Sequence, residues 1–327
     1  MNYRQWFFSI MLGCITAVPA AAQWDPEHPA DGNLRFTWIH GSVSAKANTD
    51  VRVQVHRYNE HTFVLRQNPA IHWEAPFMYL LMGEERAVLL DAGATEEAEY
   101  FPLRSVVEST MKRWQQANGI AKMPLLVLTL GSDASQNGAL GQFQDRPDTT
   151  VVAADDVLRS KVLGSNWPRE GKLDLGGRVL NVLPTPGLDA SAISIFDGWS
   201  KILFTGNTLY PGRLVIRDFP RYLNSLETLV QFSSTNNIRW IMGGRIEMSA
   251  EPGLDFMLRS NYRPNERALQ LTAAELKDAA NIVRLINGRE DIQIHDDFIV
   301  MHGVGRGARA YGWPVYIPEQ FQKNRTR

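Results

Sequence analysis

Residues 125–141 constrain the fold most. Leu-Leu-Val-Leu at 125–128 is an unbroken apolar run that continues through Thr129, Leu130 and Gly131 into Ser-Asp-Ala-Ser-Gln-Asn-Gly at 132–138. Small residues follow at 139–141. A short apolar run bounded by turn residues reads as a buried strand, and the polar stretch behind it as a turn and a helix start. A chain that buries such a strand must cover its sheet with further layers.

The rest of the chain supplies those layers. Residues 51–56 alternate strictly, the signature of a half-buried strand, and 61–66 form a second strand across the turn at 58–60. Residues 77–82 and 87–90 are apolar runs split by Gly-Glu-Glu, a hairpin of inner strands. Apolar residues at 103, 106, 107, 111 and 114 predict an amphipathic helix over 103–117. A strand at 149–153 and a helix at 155–162, capped by Asp155, close this half. The second half repeats the order. It has strands at 178–183, 192–196 and 201–204, a helix at 223–232 and a strand at 239–242. Thr-Ala-Ala-Glu at 272–275 has the capping-box form ahead of a helix to residue 286, and strands fill 291–300.

Five segments carry a family likeness. Val-Leu-Leu-Asp-Ala-Gly at 88–93 includes Asp91, and the stretch from Thr129 to Ser135 follows it. Thr-Pro-Gly-Leu-Asp at 185–189, Leu-Phe-Thr-Gly-Asn-Thr-Leu at 203–209 and Met-Gly-Gly-Arg at 242–245 complete the set. In this order they resemble the landmarks of the metallo-β-lactamase superfamily, over roughly residues 50–300. The resemblance implies an α/β (α+β) fold, a four-layer αββα sandwich. It also implies a zinc site, with Asp91 beneath it.

The ligand positions that the resemblance implies are all substituted. The motif Thr-His-x-His-x-Asp-His is replaced by one with Leu130, Ser132, Ala134 and Ser135 at the ligand places, and Asp133 stands one place before the family's Asp. Leu188 replaces a histidine beside Asp189, Asn207 replaces the second-site aspartate, and Arg245 replaces the closing histidine. Leucine and alanine have no donor atoms, neutral hydroxyls and amides are poor zinc ligands, and arginine stays protonated. The expectation is therefore no cofactor. His28, His40, His56, His61, His72, His295 and His302 occupy none of these positions, although His72 lies close enough in sequence to Trp73-Glu74 to reach a pocket mouth.

Two readings of the remodelled site follow. In one, the chain is a pseudoenzyme that binds a small anionic or carbonyl ligand, or a protein partner. Arg245 then takes the cation's electrostatic place, with Asp91 as its partner and Asp189 and Asn207 as neighbours. Tyr210, directly after the fourth landmark, belongs at the site mouth. In the other, a metal-independent hydrolase uses the same pocket. Ser132 or Ser135 would need a base, and no Gly-x-Ser-x-Gly elbow surrounds either serine.

The N-terminus reads as an export signal, with Arg4, an apolar run at 6–15 and small residues at 17–22 that place a cut near Ala22. Residues 1–22 are then a signal peptide, 23–48 a polar leader and 49–327 a single domain. The single cysteine, Cys14, lies in the signal, so the mature chain has neither disulfides nor thiolate metal sites. A periplasmic or secreted location is expected. With 34 basic and 35 acidic residues and no charge block, nucleic acid is not an expected partner, and neither is a membrane after cleavage.

Overall fold

A computed structural model describes residues 28–164, 166–169 and 171–304. The signal segment, the start of the leader and most of the Gly/Arg-rich stretch after residue 302 lie outside the described residues.

The first sheet is built from β1 (Val53–Asn59), β2 (Thr62–Gln67), β3 (Phe77–Met82), β4 (Ala87–Leu90), β5 (Leu125–Leu128) and β6 (Thr149–Val152), in that spatial order. Its first four strands are antiparallel, and β4, β5 and β6 run parallel. Helix α1 (Leu103–Asn118) makes the crossover from β4 to β5 and ends at Gly119, whose φ of 68° is a left-handed cap. Two short helices follow, α2 (Ala134–Asn137) after β5 and α3 (Asp156–Leu163) after β6. The Asp155 side chain accepts from Leu158 N at the start of α3, as its sequence position predicts.

The second sheet comprises β7 (Gly171–Asp174), β8 (Val179–Pro184), β9 (Ile193–Asp197) and β10 (Ile202–Gly206). After β11 (Arg213–Ile216) and α4 (Phe219–Asn236), the chain adds β12 (Trp240–Gly243) beside β10 and then β13 (Gln270–Leu271). Helix α5 (Ala273–Ile286) begins on a complete capping box between Thr272 and Glu275. The closing strands β14 (Asp291–Ile294) and β15 (Ile299–His302) join β11 in a small third sheet, β15 pairing parallel with β11. The sequence pattern missed β7, β11 and β13. β7 and β11 have four residues each and β13 has two, so none carries a long enough alternation to stand out.

Three cores fix the layer order. Tyr79, Leu81, Val88 and Leu90 of the first sheet meet Leu180, Val182, Ile195 and Phe204 of the second. The alternate residues Met78, Leu80 and Leu89 face outward onto Leu103, Val107, Met111 and Trp114 of α1. Phe196, Leu203 and Ile241 face outward from the second sheet onto Tyr222, Leu226, Leu276 and Val283 of α4 and α5. Inner strands buried on both faces read as continuous apolar runs, which is why the sequence shows them so plainly. The order is helix, sheet, sheet, helix, as expected for the αββα sandwich.

Residues 28–48 of the expected leader are held against this sandwich. Ala30 N donates to Trp199 O and Asn33 N to Tyr58 O, and Trp38 packs edge-to-face on Phe77 at 5.0 Å. A buried ion pair also joins the sheets. Arg178 reaches Asp197 at 2.6 Å and donates to His61 O and Met82 O of the first sheet.

Candidate functional site

The five landmark segments meet at one end of the sandwich. β4 ends at Leu90, and Asp91 follows in a left-handed conformation, φ 64°. Its carboxylate, 1% exposed, accepts from Leu130 N at 2.7 Å and from Gln136 Nε2 at 3.1 Å. Burial pushes the Asp91 carboxyl up to about 7, against the lowering effect of those two hydrogen bonds and the Arg159 guanidinium. Gln136 in turn accepts from Asn207 Nδ2 at 3.3 Å through its Oε1. An amide thus stands between the end of β4 and the loop after β10. Two glycines make room for it. A Cβ on Gly131 would lie 2.5 Å from Gln136 Oε1, and one on Gly206 would lie 2.8 Å from Gln136 Nε2.

The turn after β5 is tied to the loop after β8. Asp189 Oδ2 accepts from Ser132 N at 2.5 Å and Ser132 Oγ at 2.9 Å, and its Oδ1 accepts from Ser191 N and Oγ, both at 2.8 Å. Burial opposes its charge, but these bonds outweigh burial and hold the carboxyl below the usual carboxylate range. Asp133 caps α2, its Oδ1 accepting from Ser135 N at 3.0 Å and Ser135 Oγ at 2.8 Å. Arg159, 1% exposed, braces both loops by donating to Ser191 O and Thr129 O.

Above this floor opens a cavity of about 390 Å³. Of the residues singled out in the sequence, Asp133, Leu188, Asp189, Asn207, Tyr210 and Arg245 line it. Asp91, Leu130, Ser132, Ala134 and Ser135 do not. Leu130 is 1% exposed and belongs to the inter-sheet core, and Ala134 and Ser135 start α2. Trp73, Val215, Leu258 and Met301 give the cavity apolar wall, and Glu74, Arg213, Arg217, Glu247 and Arg259 the rest of its charge.

Arg245 does not pair with Asp91. Its guanidinium pairs with Glu74, from the loop between β2 and β3, and lies over the Tyr210 ring at 5.0 Å. Asp91 is closed off beneath the amide floor: its oxygens accept from Leu130 N and Gln136, it is 1% exposed, and it does not line the cavity. Burial lowers the Arg245 pKa from its ordinary value, and the Glu247 carboxylate works against that. Tyr210 is 2% exposed and its hydroxyl donates to Arg213 O at 2.7 Å. Arg213, placed by β11, contacts Asp255 at 2.6 Å and Glu247 at 3.5 Å. Glu247 is buried, yet Arg213 and Arg245 hold its carboxyl below the usual range.

The serines are not free for a ligand either. Ser132 and Ser135 hydroxyls are spent on Asp189 and Asp133, and no histidine hydrogen-bonds to either serine among the described residues. His72 is half-buried, 3.9 Å from Glu74, and does not line the cavity. Sequence reasoning missed Gln136, Glu74, Arg217 and Arg259. Gln136 lies one residue past the motif, and the other three lie in loops that no periodic pattern marks.

The donor set does not fit zinc. Leu130 and Leu188 offer hydrocarbon, Asn207 donates its amide to Gln136, and Arg245 brings a cation where a ligand is needed. Among the described residues, no group of three His, Cys, Asp or Glu is arranged to hold a metal ion.

Two facing six-stranded sheets between outer helices, with these five landmarks gathered at one end, make this a protein of the metallo-β-lactamase fold. No protein-family model matches the sequence, and no curated relative matches it. Solved structures do. A metallo-β-lactamase from Pontibacter korlensis is 15% identical over 71% of this chain and 99% of its own, with a TM-score of 0.48. One from Hirschia baltica is 12% identical over 71% and 98%, also at 0.48. The DIM-1 metallo-β-lactamase exposed to ceftazidime is 13% identical over 73% and 99%, at 0.46.

Proposed function

We propose that this chain is an exported pseudoenzyme of the metallo-β-lactamase fold that binds a small molecule, without a metal, in the cavity at the end of its sheets. The observation that supports this reading is the cavity itself. At about 390 Å³ it falls in the size range of small-molecule sites, and it pairs an apolar wall with charged groups. A site that had merely decayed would be filled by its leucines. Here Leu130 is drawn into the core and Leu188 only lines the wall. The serine-hydrolase alternative is disfavoured because no histidine hydrogen-bonds to either serine among the described residues, and Asp189, which accepts from Ser132, is held below the usual carboxylate range and is a weak base. Export rests on the segment before Ala22.

Metal analysis of the purified mature chain, treated with chelator and then offered zinc, tests the metal-free part. Zinc well below one equivalent is expected. One tightly held equivalent sinks the reading.

A further inference from the structure

We infer that the ligand of this cavity is a monocarboxylate with an apolar body and a hydrogen-bond donor at its far end, clamped by Arg217 and Arg259. The inference rests on the reading above that the cavity binds a small molecule. It adds two residues and a chemical class.

The charges of the cavity sort into used and unused groups. Arg245 is committed to Glu74, and Arg213 to Glu247 and Asp255. Both oxygens of Asp189 are occupied by the serines. What remains is two exposed arginines in the lining, Arg217 and Arg259, neither with a carboxylate partner among the described residues. Asp133 also keeps one oxygen in reserve, because only its Oδ1 accepts hydrogen bonds among the described residues.

The two arginines are carried on held backbone. Arg217 N donates to Gly187 O at 3.1 Å, which fixes it beside the loop of Leu188 and Asp189. Arg259 stands in a left-handed conformation, φ 66°, which a side-chain-bearing residue seldom adopts. The segment before it is pinned at Phe256, whose N donates to Glu247 O and whose O accepts from Arg213 Nη2. Guanidinium groups present paired donors that match the two oxygens of a carboxylate. Trp73, Leu188, Val215, Leu258 and Met301 then offer the surface for an apolar body.

The remaining acidic groups decide how much negative charge the ligand carries. A compact anion such as inorganic phosphate would leave the apolar wall uncovered and the free oxygen of Asp133 without a donor. A single carboxylate at the arginines, with a hydroxyl or amino group directed to Asp133, satisfies both ends.

Isothermal titration calorimetry on the whole mature chain tests this with para-hydroxyphenylacetate, its methyl ester, tyramine and inorganic phosphate as probes. The acid is expected to bind at least about tenfold tighter than the ester or tyramine, and phosphate is not expected to compete. Arg217→Ala and Arg259→Ala are each expected to weaken the acid about tenfold, with the lysine variants intermediate. Unchanged near-ultraviolet circular dichroism excludes misfolding of these exposed-site variants. Ester or amine binding as tight as the acid, competition by phosphate, or full affinity in the double alanine variant overturns the clamp while the cavity-binding reading stands. If no probe binds and a broad small-molecule thermal-shift screen is also silent, both fall.

Discussion

At the scale of single residues, the floor of the site is an amide relay that runs from Asp91 through Gln136 to Asn207. Asp91 is the carboxyl of this floor that burial displaces upward, to about 7 against an ordinary 3.8. A carboxyl raised on folding binds protons more tightly in the folded state. Its contribution to stability is therefore full below about pH 4 and is lost as pH rises through about 7. Relative to Asp91→Asn, the wild type is expected to lose stability across that window by up to about 1.4 kcal/mol per pH unit, read by urea unfolding at several pH values. A flat difference would show that Asp91 keeps its ordinary ionisation. Gln136 serves two partners, so Gln136→Ala removes one hydrogen bond from each of Asp91 and Asn207 and is expected to cost about 1–3 kcal/mol in the same assay. The substituted positions were legible in the sequence because the landmarks keep their order. Their new partners were not: Arg245 with Glu74 joins residues 171 apart, and no spacing rule links them.

At the scale of elements, the strands that read best are those buried on both faces. The hairpin of β3 and β4 matches its sequence limits at 77–82 and 87–90. Helices read well where a cap marks them. The Thr272 and Glu275 box fixes the start of α5, and Thr272→Ala is expected to cost about 1 kcal/mol by thermal or chemical unfolding. α4 was legible only in its middle, over 223–232 of Phe219–Asn236. Its first turn starts from an Asp218 cap followed by Phe and Pro, and its last turn is Ser, Ser, Thr and Asn, which carry no apolar period. The hairpin between β9 and β10 turns over four residues, because Asp197 stays in its strand and accepts from Trp199 N and Ser200 N.

At the scale of the molecule, the inter-sheet core and the Arg178 to Asp197 bridge fasten the two sheets to each other. Hydrogen exchange is expected to be slowest in β3, β4, β9 and β10 and fast in the exposed loop at 96–100, a contrast that mass spectrometry of native protein reads directly. Uniform exchange across sheets and loops would contradict it. The layer order was legible through the resemblance of the landmarks, and the structure accounts for it: alternate residues of each inner strand feed different cores. The small third sheet was not, since β11 pairs with β15 from far along the chain. That pairing has a consequence for synthesis from N- to C-terminus. Both six-stranded sheets can assemble once residue 271 has emerged, yet Met301 of the cavity wall and the strand that docks β11 arrive only with residues 299–302. A chain truncated just after α5 would keep both sheets and their helix layers but lack Met301 of the cavity wall and the parallel partner of β11.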